Sequence, residues 1–198
     1  MVGISLWAMI DHPEWIRAWG FIAADPWRAY GATMLTAFFL HANLAHLIGN
    51  ALVFWSFGED CEEVLGRFSF VLLVASATIA GCVAHAVIDP RPDVPCIGAS
   101  GGIAGVLAYY CARFPHRDVV VYMWFGMLLY SLPMSAITWL VVWLLFQIAG
   151  AALEYHAGSF IAYGAHVGGA CMGLIFYLFH RLLKPMSDAQ RHAAWWKR

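Results

Sequence analysis

Five long apolar stretches, near residues 43–58, 68–88, 97–112, 133–150 and 163–180, constrain what this chain can fold into. Each is as long, or nearly as long, as the roughly 20 residues a helix needs to cross about 30 Å of hydrocarbon. Composition agrees, with 62% of residues hydrophobic and 12% charged, where soluble domains carry about twice that charge. These features describe a polytopic helical membrane protein, in which every spanning backbone group is satisfied within its own helix. Ten tryptophans and eight tyrosines suit the aromatic belts of a bilayer. A net charge of −1 gives no electrostatic reason to expect a nucleic-acid partner. The five cysteines are odd in number and form no CxxC pair, so neither a disulfide framework nor a metal site is expected. The apolar opening "MVGISLWAMI" lacks the basic start of a signal peptide.

Short polar breaks separate the spans: "GEDCEEVLGRF" at 58–68, "DPRPDVP" at 89–95, "RFPHRD" at 113–118 and "AALEYHAGSF" at 151–160. Residues 119–132 are apolar but run into Pro133, and read as an interfacial or re-entrant piece before a proline-started helix. Residues 11–42 read as a Trp-rich loop on one membrane face. Five of the eleven Lys and Arg lie beyond residue 180, which places that tail in the cytoplasm. Counting back puts 58–67 and 113–118 inside, and 11–42, 89–95 and 151–162 outside.

Polar side chains inside spans are costly and need partners. "HANLAHLIGN" places His41, His46 and Asn50 at the outer start of the first long span. "GASG" places Ser100 at the outer start of the third, and "YGAHVGG" places His166 at the outer start of the last. The orientation uses none of these residues, yet it sets Ser100, His46 and His166 at one shallow depth. A serine needs a neighbouring base to lose its proton near neutral pH, and histidine suits that task. Gly98, Gly101 and Gly102 leave room for a substrate backbone. Free N–H groups at the start of a helix favour a developing oxyanion beside Ser100. His46 and Asn50, spaced i, i+4, share one helix face and are placed to complete that hole. His41 belongs to another face and suits holding the preceding loop. Plainer roles stand beside these. A serine among glycines also serves helix packing, and Gly98, Gly102 and Gly105 read as a contact stripe. His85 reads as a satisfied bundle residue. His46 and His166 are possible metal ligands, but the spans supply no carboxylate to join them.

"PWRAYGATMLTAFFLHANLAHLIGN", "GASGGIAGVL" and "GAHVGGACMG" follow one another in that order. They carry HxxxxHxxxN, GxSG and AHxxG, and from about residue 21 to 180 the chain resembles the rhomboid intramembrane serine proteases. The resemblance implies Ser100 as nucleophile and His166 as its general base. It implies an oxyanion hole from His46, Asn50 and the Ser100 N–H. Trp27 and Arg28 match the WR pair of an interfacial outer loop, and Glu62 a structural carboxylate. Gly169 and Gly173 match small residues that seat the last helix against the serine helix. Residues 134–162 would hold a mobile helix and a cap loop admitting substrate. Two departures stand out: the usual first span is absent or reduced to about ten residues, and Ala104 replaces an aromatic that some relatives stack on the histidine.

The fold expected is an all-α membrane bundle of the rhomboid type with five full spans. Residues 1–20 form a truncated N-terminal segment, 21–180 the membrane domain and 181–198 a basic cytoplasmic tail. The function expected is an intramembrane serine endopeptidase that needs no cofactor, with the lipid bilayer and transmembrane protein substrates as its partners. A multi-pass location in a bacterial inner (cell) membrane is expected with it. The alternatives are a catalytically inactive rhomboid-like protein binding membrane-helix clients, and a small transporter or metal-binding membrane protein using His41, His46 and His166.

Overall fold

A computed structural model describes residues 1–89, 91–125, 128–157 and 161–183; most of the basic tail and part of the segment 151–162 lie outside these. The chain opens with the 10-residue helix α1 (Val2–Asp11). Two short helices follow, α2 (Trp15–Trp19) and α3 (Thr33–Thr36). The bundle proper is α4 (Leu44–Leu65), α5 (Arg67–Ile88), α6 (Ser100–Arg113), α7 (Ala136–Ala157) and α8 (Tyr163–Leu183). A hairpin of β1 (Asp118–Phe125) and β2 (Leu128–Ser135) separates α6 from α7.

Five full spans are not confirmed: among the described residues α5, α7 and α8 qualify by length and apolarity, and a fourth span arises if Thr33–Phe39 and α4, bent by 97°, count as one. The helix carrying Ser100 is only 14 residues, about 21 Å long. It is also buried on every side from Gly101 to Cys111. A helix enclosed all round is the axis of a bundle, so α6 is shielded by its neighbours and has little contact with lipid.

That enclosure is possible because α6 carries small residues where its neighbours cross. A Cβ on Gly169 of α8 would strike the Gly101 carbonyl, and one on Gly173 would strike the Gly105 carbonyl. Across α5, Gly81 faces the Ala165 carbonyl and Gly105 faces Ala77. Backbones this close gain dispersion contacts, which drive helix association where no hydrophobic effect operates.

Three further readings change. "GEDCEE" is no loop: α4 runs through it to Leu65 and stops at Gly66, whose φ of 77° suits glycine. Glutamates are good helix formers, so charge alone does not end a helix. Residues 119–125 and 128–132 are no re-entrant piece but pair as antiparallel strands, Val121 opposite Leu132 and Val120 opposite Pro133. Pro133 thus lies within β2, tolerated because a two-stranded sheet has only edges. α7 starts at Ala136, where the Ser135 hydroxyl accepts from the Thr138 N–H at 3.3 Å. The Asp60 carboxylate holds the root of the hairpin through Arg117 at 2.5 Å, and Arg117 lies 4.6 Å above the Phe114 ring. The segment 11–42 is a folded cap of short helical turns, closed by paired backbone bonds between Phe21 and Cys96 (3.0 and 2.7 Å).

Among the described side chains of α7, the buried ones form one stripe, Ala136, Leu140, Gln147 and Ala151, and much of the rest is exposed.

Candidate active site

The helices α4, α6 and α8 each bring a polar group of their first two turns to one cavity. Asn43 caps α4, its Oδ1 accepting from the His46 N–H at 2.9 Å. Ser100 opens α6. Hydrogen bonding in that helix begins with the Ile103 N–H to the Ala99 carbonyl at 2.9 Å, so the N–H groups of the first turn are unused within it. His166 lies in the first turn of α8. Its Nε2 is 2.8 Å from Ser100 Oγ, and its Nδ1 is 2.7 Å from Gln147 Oε1 on α7. An amide oxygen only accepts, so Nδ1 carries the imidazole proton and the Nε2 lone pair faces the serine hydroxyl. This is the tautomer a general base requires.

A second chain of hydrogen bonds fixes Asn50. Ser5 on α1 donates from Oγ to the Phe39 carbonyl at 2.6 Å. Its oxygen is then free to accept from His41 Nδ1–H at 2.9 Å. His41 Nε2, left as the acceptor, takes Asn50 Nδ2–H at 2.9 Å and the Ala99 N–H at 3.4 Å. One amide hydrogen of Asn50 is thereby held, and the other is directed elsewhere. The His41 and His46 rings meet edge to face with centroids 4.9 Å apart. His41 thus does more than hold a loop: it orients the amide at residue 50 and ties it to α1.

Ser100, His166, His46 and Asn50 line one cavity of about 580 Å³, walled on its far side by the end of α5 and the segment that follows. There Arg91 donates to both oxygens of Asp89 (3.0 and 2.8 Å). Burial pushes the Asp89 carboxyl up, but the hydrogen bonds from Arg91 outweigh it and hold the group below its ordinary value. The charged groups on this wall, Asp89 and Arg91, are therefore paired with each other.

The glycines divide. Gly98 (φ 118°) has no room for a side chain, because a Cβ there would meet the His46 ring. It is a turn before α6, not part of a helix stripe. Gly101 and Gly102 do not open space for substrate; they lie against Gly81 and Thr78 of α5. Gly169 and Gly173 lie on the α6 backbone, as described above. Arg28 donates to the carbonyls of Arg17 (2.8 Å) and Gly20 (2.5 Å), fastening the cap, while Trp27 beside it is 75% exposed. Glu62 meets only the exposed Arg67 across the Gly66 break at 3.4 Å. The better-covered carboxylate at that end is Asp60. Sequence reasoning missed Gln147, Trp143, Ser5 and Asn43. A lone amide inside "LLFQIAG" was the available signal for Gln147, since a buried amide in a span needs a partner.

The chain is 33% identical over 147 residues to Rhomboid protein 1, mitochondrial, of Saccharomyces cerevisiae, a match covering 70% of this chain and 38% of that protein. It is 31% identical over 157 residues to the Homo sapiens Presenilin-associated rhomboid-like protein, mitochondrial, covering 76% of this chain and 38% of that one. To Rhomboid protease GluP of Bacillus subtilis it is 38% identical over 76 residues, covering 38% of this chain and 15% of that protein. The chain spans less than half the length of these relatives. A family model, Rhomboid domain, matches residues 25–182, and the chain belongs to the rhomboid family.

Proposed function

We propose that this chain is an intramembrane serine endopeptidase that cleaves the transmembrane helices of other membrane proteins through a Ser100–His166 dyad. The observation that carries the reading is the 2.8 Å contact between Ser100 Oγ and His166 Nε2, beside the cavity that His46 and Asn50 also line. His166 takes the serine proton as Oγ attacks a peptide carbonyl, and returns it to the leaving amine. The charge on the tetrahedral oxygen is met by the Ser100 N–H, the free amide hydrogen of Asn50 and His46. Water entering from the loop end releases the acyl-enzyme.

The position of the dyad fits this chemistry. Hydrolysis needs water, which the hydrocarbon centre lacks, and the reacting groups lie in the first turns of their helices. A substrate helix must unwind to present a carbonyl. Segments with Gly, Pro or Ser near the corresponding end are therefore the favoured substrates. The reading of an inactive client-binding protein has less support, because such a protein has no use for a preformed serine–histidine contact. Membrane location carries over from the spans and the family. The expected bacterial inner membrane does not, since the relatives named above include mitochondrial proteins.

The test is reconstitution of the full chain in liposomes with a model single-span substrate. Cleavage by the wild type that is absent in Ser100→Ala and His166→Ala supports the protease; equal cleavage by all three contradicts it.

A further inference from the structure

α7 is held to the bundle by one stripe, and among the described residues Gln147 is the only buried polar one in it. A primary amide inside an apolar interface is costly unless its groups are satisfied, and here Oε1 is spent on His166 Nδ1 at 2.7 Å. One turn earlier on the same face, Trp143 sets its ring 6.0 Å from the imidazole at 31°. Trp143 in turn stacks at 5.8 Å and 13° on Trp139, which stacks at 6.3 Å on Phe57 of α4. An aromatic column thus runs along α7 and ends on the histidine. On α6, the residue one turn after Ser100 is the small, buried Ala104, which offers His166 no ring. Gly150, one turn beyond Gln147, leaves space filled by the Tyr163 ring, which meets His166 edge-on at 6.5 Å. The imidazole is therefore oriented largely from α7, which meets the bundle through one buried stripe.

We propose that Gln147, supported by Trp143, is the positioning residue for the general base, so that His166 is competent only while α7 is seated against α8. The proposal rests on the protease reading and adds a condition to it. Without an acceptor at Nδ1, neutral imidazole is free to place its proton on Nε2, where it meets the serine oxygen and cannot take a proton. When His166 is protonated in the acyl-transfer step, the same amide oxygen keeps Nδ1–H engaged while Nε2–H is delivered to the leaving amine. Movement of α7 away from α8 withdraws acceptor and ring together, which couples the seating of one helix to catalysis on two others.

The test combines kinetics with a direct reading of the tautomer. Full-length protein carrying ¹⁵N-histidine is compared as wild type, Gln147→Leu and Gln147→Glu, with His166 assigned by difference from His166→Ala. In the wild type, His166 shows a protonated Nδ1 and an unprotonated Nε2. In Gln147→Leu that pattern is lost, and kcat on the single-span substrate falls at least about 10-fold while KM changes less than about 2-fold. Gln147→Glu, which keeps an acceptor oxygen, returns kcat to within about 3-fold of wild type. A wild-type His166 protonated on Nε2 overturns the proposal. So does a Gln147→Leu enzyme within about 2-fold of wild-type kcat, or a Gln147→Glu enzyme as impaired as Gln147→Leu. Absence of Ser100-dependent cleavage in the wild type refutes the protease reading itself, and the ¹⁵N pattern reads the positioning contact without recourse to activity.

Discussion

α8 meets two neighbours in different ways. Against α6 it lies backbone to backbone, with Gly169 and Gly173 on the carbonyls of Gly101 and Gly105. Against α7 it meets side chains: the Tyr163 ring fills the space at Gly150, and His166 meets Gln147 and Trp143. A backbone contact has no rotamer by which to yield, whereas a ring does. The first contact fixes the distance between the helices bearing Ser100 and His166; the second sets the state of the histidine. Fixed geometry and adjustable chemistry are thus assigned to different helices.

The sharpest way to break this contrast is to add one methyl group on each side. Gly169→Ala drives a Cβ into the Gly101 carbonyl and costs about 2–3 kcal/mol, read as a lower unfolding midpoint in detergent. Gly150→Ala meets the Tyr163 ring first, a side chain that can swing aside, and helix propensity returns part of the cost, so stability changes by less than about 1 kcal/mol. Equal losses at both sites would remove the distinction.

A smaller effect is expected where α1 touches the site. Ser5→Ala strips the acceptor from buried His41 Nδ1–H and costs about 1–2 kcal/mol. It also loosens Asn50, so kcat falls more than KM rises. Activity that survives intact would show that Asn50 needs no support from α1.

The smallest effect concerns pH. The Asp89 carboxyl is held below its ordinary value, so the stability it contributes is present above the unfolded carboxylate value near about 4 and is lost as pH falls through the lowered value. In Arg91→Gln the two guanidinium hydrogen bonds go while the residue 91 backbone N–H still donates to Asp89 Oδ1, so the carboxyl is lowered less and the loss is smaller and complete at higher pH. Unfolding midpoints from about pH 3 to 6 would show this shift, at a cost below about 1 kcal/mol near neutrality.

The site was more legible in the sequence than the fold around it. Ser100, His46, Asn50 and His166 stand out because reactive groups are conspicuous in apolar helices. Gln147 is equally conspicuous by that rule, but it carries no motif, and its meaning depends on a partner 19 residues away on another helix. Ser5 gave no sign, since a single hydroxyl 36 residues from His41 has no local pattern. The hairpin escaped because a run of Val, Tyr, Leu and Met reads alike as strand or interfacial segment when neither period nor length separates them. α6 was read as a full span because composition reports apolarity, and the burial of a helix inside its neighbours looks the same as burial in lipid.

The central claim is that Ser100 is a nucleophile activated by His166. Its most direct measurement is labelling of the reconstituted chain with a small fluorophosphonate, followed by mass spectrometry of the modified peptide. The account predicts a single adduct on Ser100 that disappears in His166→Ala. An unlabelled Ser100, or labelling indifferent to His166, would contradict it.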